Sequence, residues 1–279
     1  MNPWNIYAFA DEASGKMDEQ IAAMRRNGLQ GLEIRGVDGQ NIADITVEKA
    51  REVRRKLDDA GLCVWSMGSP IGKIGITGDD FAAHLEKLRH VLTLADVLGA
   101  KNLRMFSFFV PAGETAQYRG KVIDRVGQML DVAKGSGITL CHENEKGIYG
   151  DMAARCWELL STFPELGGVF DPANFIQCGQ DTLEAWKLLH SRIKYLHIKD
   201  ALADGKVVPA GKGEGQVGAI LNAFSSQGGH DITIEPHLSV FEGLKDLEQA
   251  GNRTQVDAYC YNSGDEAFDA ACDALKKLL

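Results

Sequence analysis

The 279-residue sequence lacks most of the features that would announce a specialised class of protein. Its six cysteines, Cys63, Cys141, Cys156, Cys178, Cys260 and Cys272, are scattered and form no CxxC pair. That is too sparse for a disulfide scaffold, so reduced thiols in a cytoplasmic protein are expected. Prolines number only seven, and no Pro/Ser linker, charge block or low-complexity tract divides the chain, so residues 1–279 are expected to form a single domain. No apolar run approaches the roughly 20 residues needed to cross a bilayer. The start, MNPWNIYAFADE, lacks the basic and long apolar regions of a secretory signal. Basic residues are also in deficit, 30 against 39 acidic ones, for a net charge of −9. A nucleic-acid coat or a membrane-surface binder normally needs a basic face, so neither partner is expected. There is no GxSxG elbow, no GxxxxGK[ST] loop and no convincing Cys/His nucleophile pair.

What remains is an alternation. Short apolar runs at residues 5–9, 31–35, 63–67, 102–106, 138–142, 168–171, 193–197 and 231–235 read as strands. Amphipathic stretches at 17–27, 47–60, 81–98, 118–134, 152–163, 183–191, 217–226 and 266–279 read as helices, several of them stopping at Gly28, Gly61, Gly99 or Gly135. Strands alternating with helices through short connections make a parallel sheet wrapped by helices. Eight such units favour an α/β fold of the (β/α)8 TIM-barrel type over a doubly wound open sheet. Residues 238–264 are the least regular part and are a candidate cover for one end of the barrel.

Active sites of such barrels lie at the C-terminal ends of the strands, and there the apolar pattern is broken by charge. The late strands end in Glu143 (CHENEKG), Asp171 (GVFDPANF), His197 (KYLHIKDA) and Glu235 (ITIEPHL), spaced 28, 26 and 38 residues apart. A single carboxylate at a strand end is often only a helix cap. Four ligand-type residues on four successive strands instead suggest an oxygen-rich site for one divalent ion, Mn²⁺ first, with Mg²⁺, Co²⁺ or Zn²⁺ as alternatives.

Successive strand residues face opposite ways. With Glu143 inward, Cys141 and Thr139 also face the axis, while His142 faces the helices as a packed structural histidine; Glu145 shares the inward parity and is the rival ligand. Lys199 projects with His197, either to meet an anionic or enolate oxygen or to form a salt bridge with Asp200 or a neighbouring carboxylate, and His237 follows Glu235 toward the mouth. Glu33 and Arg35 share a face on the second strand, and Arg104 enters on the fourth. Buried charges are costly unless paired, so these three form either an ion network or substrate contacts. Gly211-Lys212-Gly213-Glu214-Gly215 reads as a loop into the seventh helix, or, more sharply, as a loop that brings Lys212 to a substrate phosphate or carboxylate.

From FADEAS and GLEIRG through HENEKG, FDPANF, YLHIKDA and GKGEG to IEPHL, the chain resembles the sugar phosphate isomerase/epimerase superfamily with the xylose isomerase-like TIM barrel. Members include D-tagatose 3-epimerase, hydroxypyruvate isomerase, inosose dehydratase and endonuclease IV. The resemblance implies metal ligands at Glu143, Asp171, His197 and Glu235, in the family's order. Where epimerases often carry a histidine shortly after the sixth-strand aspartate, this chain has Asn174. The extra metal-binding histidines of endonuclease IV are not matched, since His84, His90 and His190 fall on helical patterns.

The expectation is a metal-dependent isomerase or epimerase of a sugar, sugar phosphate or keto-polyol, working through an enediolate. Glu143 and Glu235 are expected to move the proton, and Glu33, Arg35, Arg104, Asn174, Lys199, Lys212 and His237 to line the substrate. A dehydratase of the inosose or keto-sugar type and a noncatalytic sugar-binding barrel are the rivals. A homo-oligomer is compatible with the sequence.

Overall fold

The computed structural model describes residues 4–240, 259 and 261–279. Eight parallel strands close into a barrel: β1 (Asn5–Ala8), β2 (Gly31–Ile34), β3 (Cys63–Met67), β4 (Asn102–Met105), β5 (Thr139–Glu143), β6 (Gly167–Phe170), β7 (Ile193–Ile198) and β8 (Asp231–Ile234). Each strand pairs with its neighbours in sequence, and β8 closes on β1 in the register Asn5↔Asp231 to Ala8↔Ile234. Around them run α1 (Met17–Asn27), α2 (Val47–Asp59), α3 (Phe81–Leu98), α4 (Thr115–Ala133), α5 (Ala153–Thr162), α6 (Pro172–Gln177), α7 (Thr182–Leu189), α8 (Val217–Ser226) and α9 (Gly264–Lys276). No helix among the described residues is long and apolar enough to cross a membrane.

The helices form where their sequences carry one apolar stripe and usable ends. In α2, Ala50, Val53 and Leu57 are buried at helical spacing, Thr46 Oγ1 accepts the first-turn N–H of Lys49, and the opposite face is charged. Fully burying a side chain such as Leu57 contributes about 1.5–3 kcal/mol. α1 and α3 end at Gly28 and Gly99, both in the left-handed conformation that a side chain would strain.

Observed and expected bounds coincide for β3, α1, α3 and α8 and differ by one to three residues elsewhere. β5 extends to Glu143, so this carboxylate closes the strand. α7 stops at Leu189 because the chain tightens into a 3₁₀ turn over His190–Arg192. α6 and two small hairpins, Gly36–Val37 with Gln40–Asn41 and Asp200–Ala201 with Val207–Val208, were not expected from periodicity. They are too short to show a period. Of the irregular stretch 238–264, residues 241–258 and 260 lie outside the described residues, so the expectation of a cover falls there. Cys63, Cys141, Cys156, Cys178 and Cys272 are free thiols.

The barrel interior changes character along its axis. Low down, Tyr7 stacks on Trp65 at 4.8 Å, Trp65 meets Tyr195 edge-on, and Cys141 and Val169 complete an apolar cluster. One layer higher, toward the strand C-termini, the inward side chains are Glu33, Arg104, Glu143, His197 and Glu235, all buried.

Candidate active site

Glu143, Asp171, His197 and Glu235 come from the C-terminal ends of β5 to β8, and one donor atom from each lies within 4.8 Å of the others. His197 is at the centre. Its Nδ1 stands 3.0 Å from Glu143 Oε1, 3.4 Å from Glu235 Oε2 and 3.9 Å from Asp171 Oδ2. Its other nitrogen, Nε2, is 3.1 Å from Glu33 Oε2, and Glu33 Oε1 in turn accepts from Tyr195 and Ser66. With Glu33 accepting from Nε2, the nitrogen that faces the three carboxylates is Nδ1, the arrangement by which a ligating histidine is usually oriented.

Asp171 divides its two oxygens. As the residue before Pro172 it is the N-cap of α6, and Oδ1 accepts the backbone N–H of Asn174 at 2.8 Å. Oδ2 is left facing the cluster. Asn144, on the next turn of chain beyond β5, bonds both the N–H and the C=O of Asp171 and so ties the ends of β5 and β6 together. Asn174 reaches back to Asn144 O and, at 3.3 Å, to Glu143 Oε1.

Cations surround these carboxylates. Lys199 Nζ lies 2.9 Å from Asp171 Oδ2 and 2.8 Å from Glu235 Oε2, and Arg104 Nη1 lies 3.2 Å from Glu143 Oε2. Arg35 is gripped by both oxygens of Asp11 and by Glu12 and approaches Glu235 Oε1 at 3.5 Å. Phe9 fills the space between: Arg35 and Arg104 stand over its ring, and its edge contacts His197. His237, held in a left-handed conformation, gives its backbone N–H to Glu12 Oε2 and sets its ring 3.1 Å from Glu12 Oε1.

Burial penalises every charge here, and the neighbours decide the outcome. For Glu143, burial is outweighed by His197 and Arg104, which hold the carboxyl below its usual range. For Glu235, Lys199, His237 and His197 outweigh it by more. Asp171 goes the other way: burial, helped by the Glu235 and Glu143 charges, pushes it up to about 8 despite Lys199. His197, opposed by burial, is raised well above its ordinary value by Glu143 and Glu33.

The donor set fits a divalent cation. Three carboxylates and one imidazole converge, and two of the buried oxygens, Glu143 Oε2 and Asp171 Oδ2, receive no hydrogen bond although cationic nitrogens stand close. A second group, Glu12, Glu235 and His237, also converges, but Arg35 already lies against Glu12 and Glu235.

Most of the residues expected at the site meet there: Glu33, Arg35, Arg104, Asn174, Lys199 and His237 all contact one of the four central residues or their immediate partners. Two do not. Glu145 pairs with Lys73 at 3.1 Å, outside the cluster. Lys212 is exposed, and its glycine-rich loop is folded around a protein carboxylate: Asp200 accepts the backbone N–H groups of Gly211, Gly213 and Gly215. A Cβ at Gly213 or Gly215 would fall within 2.6 Å of Asp200 Oδ1. The amides of this loop are thus used by Asp200 and are not offered to a substrate anion, while the Lys212 side chain stands exposed on the loop. Asp11, Glu12, Lys73 and Asn144 went unnoticed in the sequence; only the FADE and HENE strings hinted at three of them.

The model of one protein family, described as a xylose isomerase-like TIM barrel, matches residues 21–252. No curated protein matches the sequence. Solved structures share the fold at low identity. The probable 3-DHS dehydratase AsbF, involved in petrobactin synthesis in Bacillus anthracis, superposes with a TM-score of 0.74 at 16% identity, covering 98% of each chain. The IOLI protein, solved with a zinc atom, gives 0.74 at 14% identity over 98% of this chain and 97% of its own. A D-psicose 3-epimerase, crystallised in the presence of D-fructose, gives 0.71 at 14% identity over 98% and 97%. With a matching family model over most of its length and a closed parallel barrel of eight strands, the chain belongs to the xylose isomerase-like TIM-barrel family.

Proposed function

We propose that the protein is a divalent-metal-dependent isomerase or epimerase of a sugar, sugar phosphate or related keto-polyol. The observation that carries this is the convergence of two glutamates, Glu143 on β5 and Glu235 after β8, on Nδ1 of the His197 imidazole in a buried charged cluster.

Glu143, Asp171, His197 and Glu235 would hold the ion, with Mn²⁺ the first choice and Mg²⁺, Co²⁺ or Zn²⁺ the alternatives. Such an ion supplies Lewis-acid stabilisation of negative charge on substrate oxygens. The protein's own groups do the rest. A proton on carbon beside a carbonyl is weakly acidic, and the buried positive charges of Arg104 and Lys199 favour the enediolate left by its removal. Glu235, whose carboxyl the surrounding cationic groups hold well below its usual range, is suited to accept that proton, and Glu143 to serve the other face of the carbon. Asn174 fixes the Glu143 carboxylate, and Arg35, itself locked by Asp11 and Glu12, fixes that of Glu235. The zinc atom of the IOLI structure and the epimerase among the structural neighbours support this reading for the family chemistry.

A second reading, elimination of water from a keto-sugar or inosose, shares the same proton abstraction. It is favoured by the dehydratase among the neighbours and by Lys199, an ammonium able to assist a departing hydroxide.

The test is turnover of Mn²⁺-loaded protein on a panel of ketoses, keto-acids and inososes in deuterated water. Isomerisation or epimerisation with deuterium entering the carbon beside the carbonyl is expected. Loss of water with deuterium exchange selects the second reading, and the absence of exchange on every substrate class rejects both.

A further inference from the structure

We infer that Lys199 is a built-in rival of the metal: its ammonium and the divalent cation claim the same two carboxylate oxygens, and metal binding drives the lysine off them. This rests on the metal-site reading above.

Lys199 Nζ is 2.9 Å from Asp171 Oδ2 and 2.8 Å from Glu235 Oε2. These are the oxygens that His197 Nδ1 also approaches, at 3.9 and 3.4 Å. Ammonium and imidazole therefore converge on one pair of atoms, the same carboxylate oxygens that would hold a divalent cation. An ammonium kept 2.8–2.9 Å from both oxygens would then lie a few ångströms from a double positive charge, among buried groups where charges are poorly screened. Both cannot be bound well. Arg104 differs, because it approaches the other oxygens, Glu143 Oε2 and Glu235 Oε1, at 3.2 and 3.8 Å.

The backbone at Lys199 is not free to follow. Asp200 and Ala201 pair with Val207 and Val208, and the Asp200 carboxylate is tied by the N–H groups of Gly211, Gly213 and Gly215. The movement is left to the lysine's four-carbon stem, which has the rotamers for it. This gives the glycine-rich loop a role that its sequence did not suggest: it anchors the strand end while the lysine swings. In the metal-free protein Lys199 balances the buried carboxylates; in the loaded protein it becomes a positive charge available beside the ion.

The sign of the effect separates this from a merely structural role. Chelator-stripped wild type, Lys199→Met and Lys199→Arg are titrated with Mn²⁺ by calorimetry. Lys199→Met, which keeps the length and removes the charge, is expected to bind Mn²⁺ about tenfold more tightly or better, and Lys199→Arg no more tightly than wild type. Equal or weaker binding by Lys199→Met overturns the inference while leaving the metal site standing. If neither protein binds Mn²⁺, the metal-site reading falls and the inference with it. Should the variants misfold, a Mn²⁺-bound crystal structure of the wild type decides: Lys199 Nζ is expected beyond hydrogen-bond reach of both oxygens, and an ammonium still bonded to them overturns the inference.

Discussion

Two buried histidines stand on opposite faces of the barrel wall and meet opposite fates. His142, on β5, points outward to the helices, where its Nε2 lies 2.9 Å from Ser107 Oγ and its ring packs against Gly150. Burial alone dominates there and pushes it down to about 4, so it is neutral. His197, on β7, points inward among Glu33, Glu143, Asp171 and Glu235, and is raised well above its ordinary value although equally buried. Depth is the same; company differs. The one-residue alternation of a strand puts His142 and Glu143 on opposite faces, and so separates a packing group from a chemical one.

The largest expected effect lies on the inner face. Glu143→Gln and Glu235→Gln keep size and one oxygen ligand but lose the proton acceptor. At saturating Mn²⁺ each is expected to lower turnover by roughly two to four powers of ten, with the fold retained by circular dichroism. Near-normal turnover in both would move the proton transfer elsewhere, to Glu12 or His237 first.

The next effect is on stability. Arg35→Met leaves Asp11 and Glu12 buried without their shared cation, at an expected cost of about 3–5 kcal/mol in urea unfolding. A loss below about 1 kcal/mol would mean that the carboxylates find protons or water instead.

On the outer face, pH is the lever. The folded protein keeps His142 neutral while the unfolded chain takes up a proton near 6.5. The ring's contribution, on the order of 3 kcal/mol, is therefore present above about pH 6.5 and lost as pH falls toward 4. The stability gap between wild type and His142→Gln should narrow over that window, and a gap independent of pH would contradict the neutral assignment. The smallest effect belongs to Lys212→Ala, expected within about 0.5 kcal/mol of wild type and with unchanged KM. A tenfold rise in KM would return Lys212 to the site.

Strand alternation made the barrel legible, because eight apolar runs and eight amphipathic stretches leave few other arrangements. It also made the inner face legible: Glu33, Arg104, Glu143 and His197 interrupt strands, and Arg35 and Lys199 follow the last residues of β2 and β7 with the parity of Glu33 and His197. The hidden parts are those set by contacts distant in the chain. Asp11 and Glu12 look like loop acids until the barrel closes and brings Arg35 and His237 to them. Asn144 acts through the backbone of a residue 27 positions away, which no local pattern encodes. The loop around Lys212 is the complementary case, since a glycine-rich loop looks like an anion cradle whether the anion is a ligand or, as here, the protein's own Asp200.

On the reading proposed above, the inner-face cluster, and not burial or histidine content as such, holds one divalent ion. Equilibrium dialysis against Mn²⁺ with metal analysis of wild type, His197→Ala and His142→Ala tests it most directly. One ion per chain is expected in wild type and in folded His142→Ala, with binding lost or sharply weakened in His197→Ala. Equal Mn²⁺ binding by wild type and His197→Ala, or no binding by wild type at all, would contradict it.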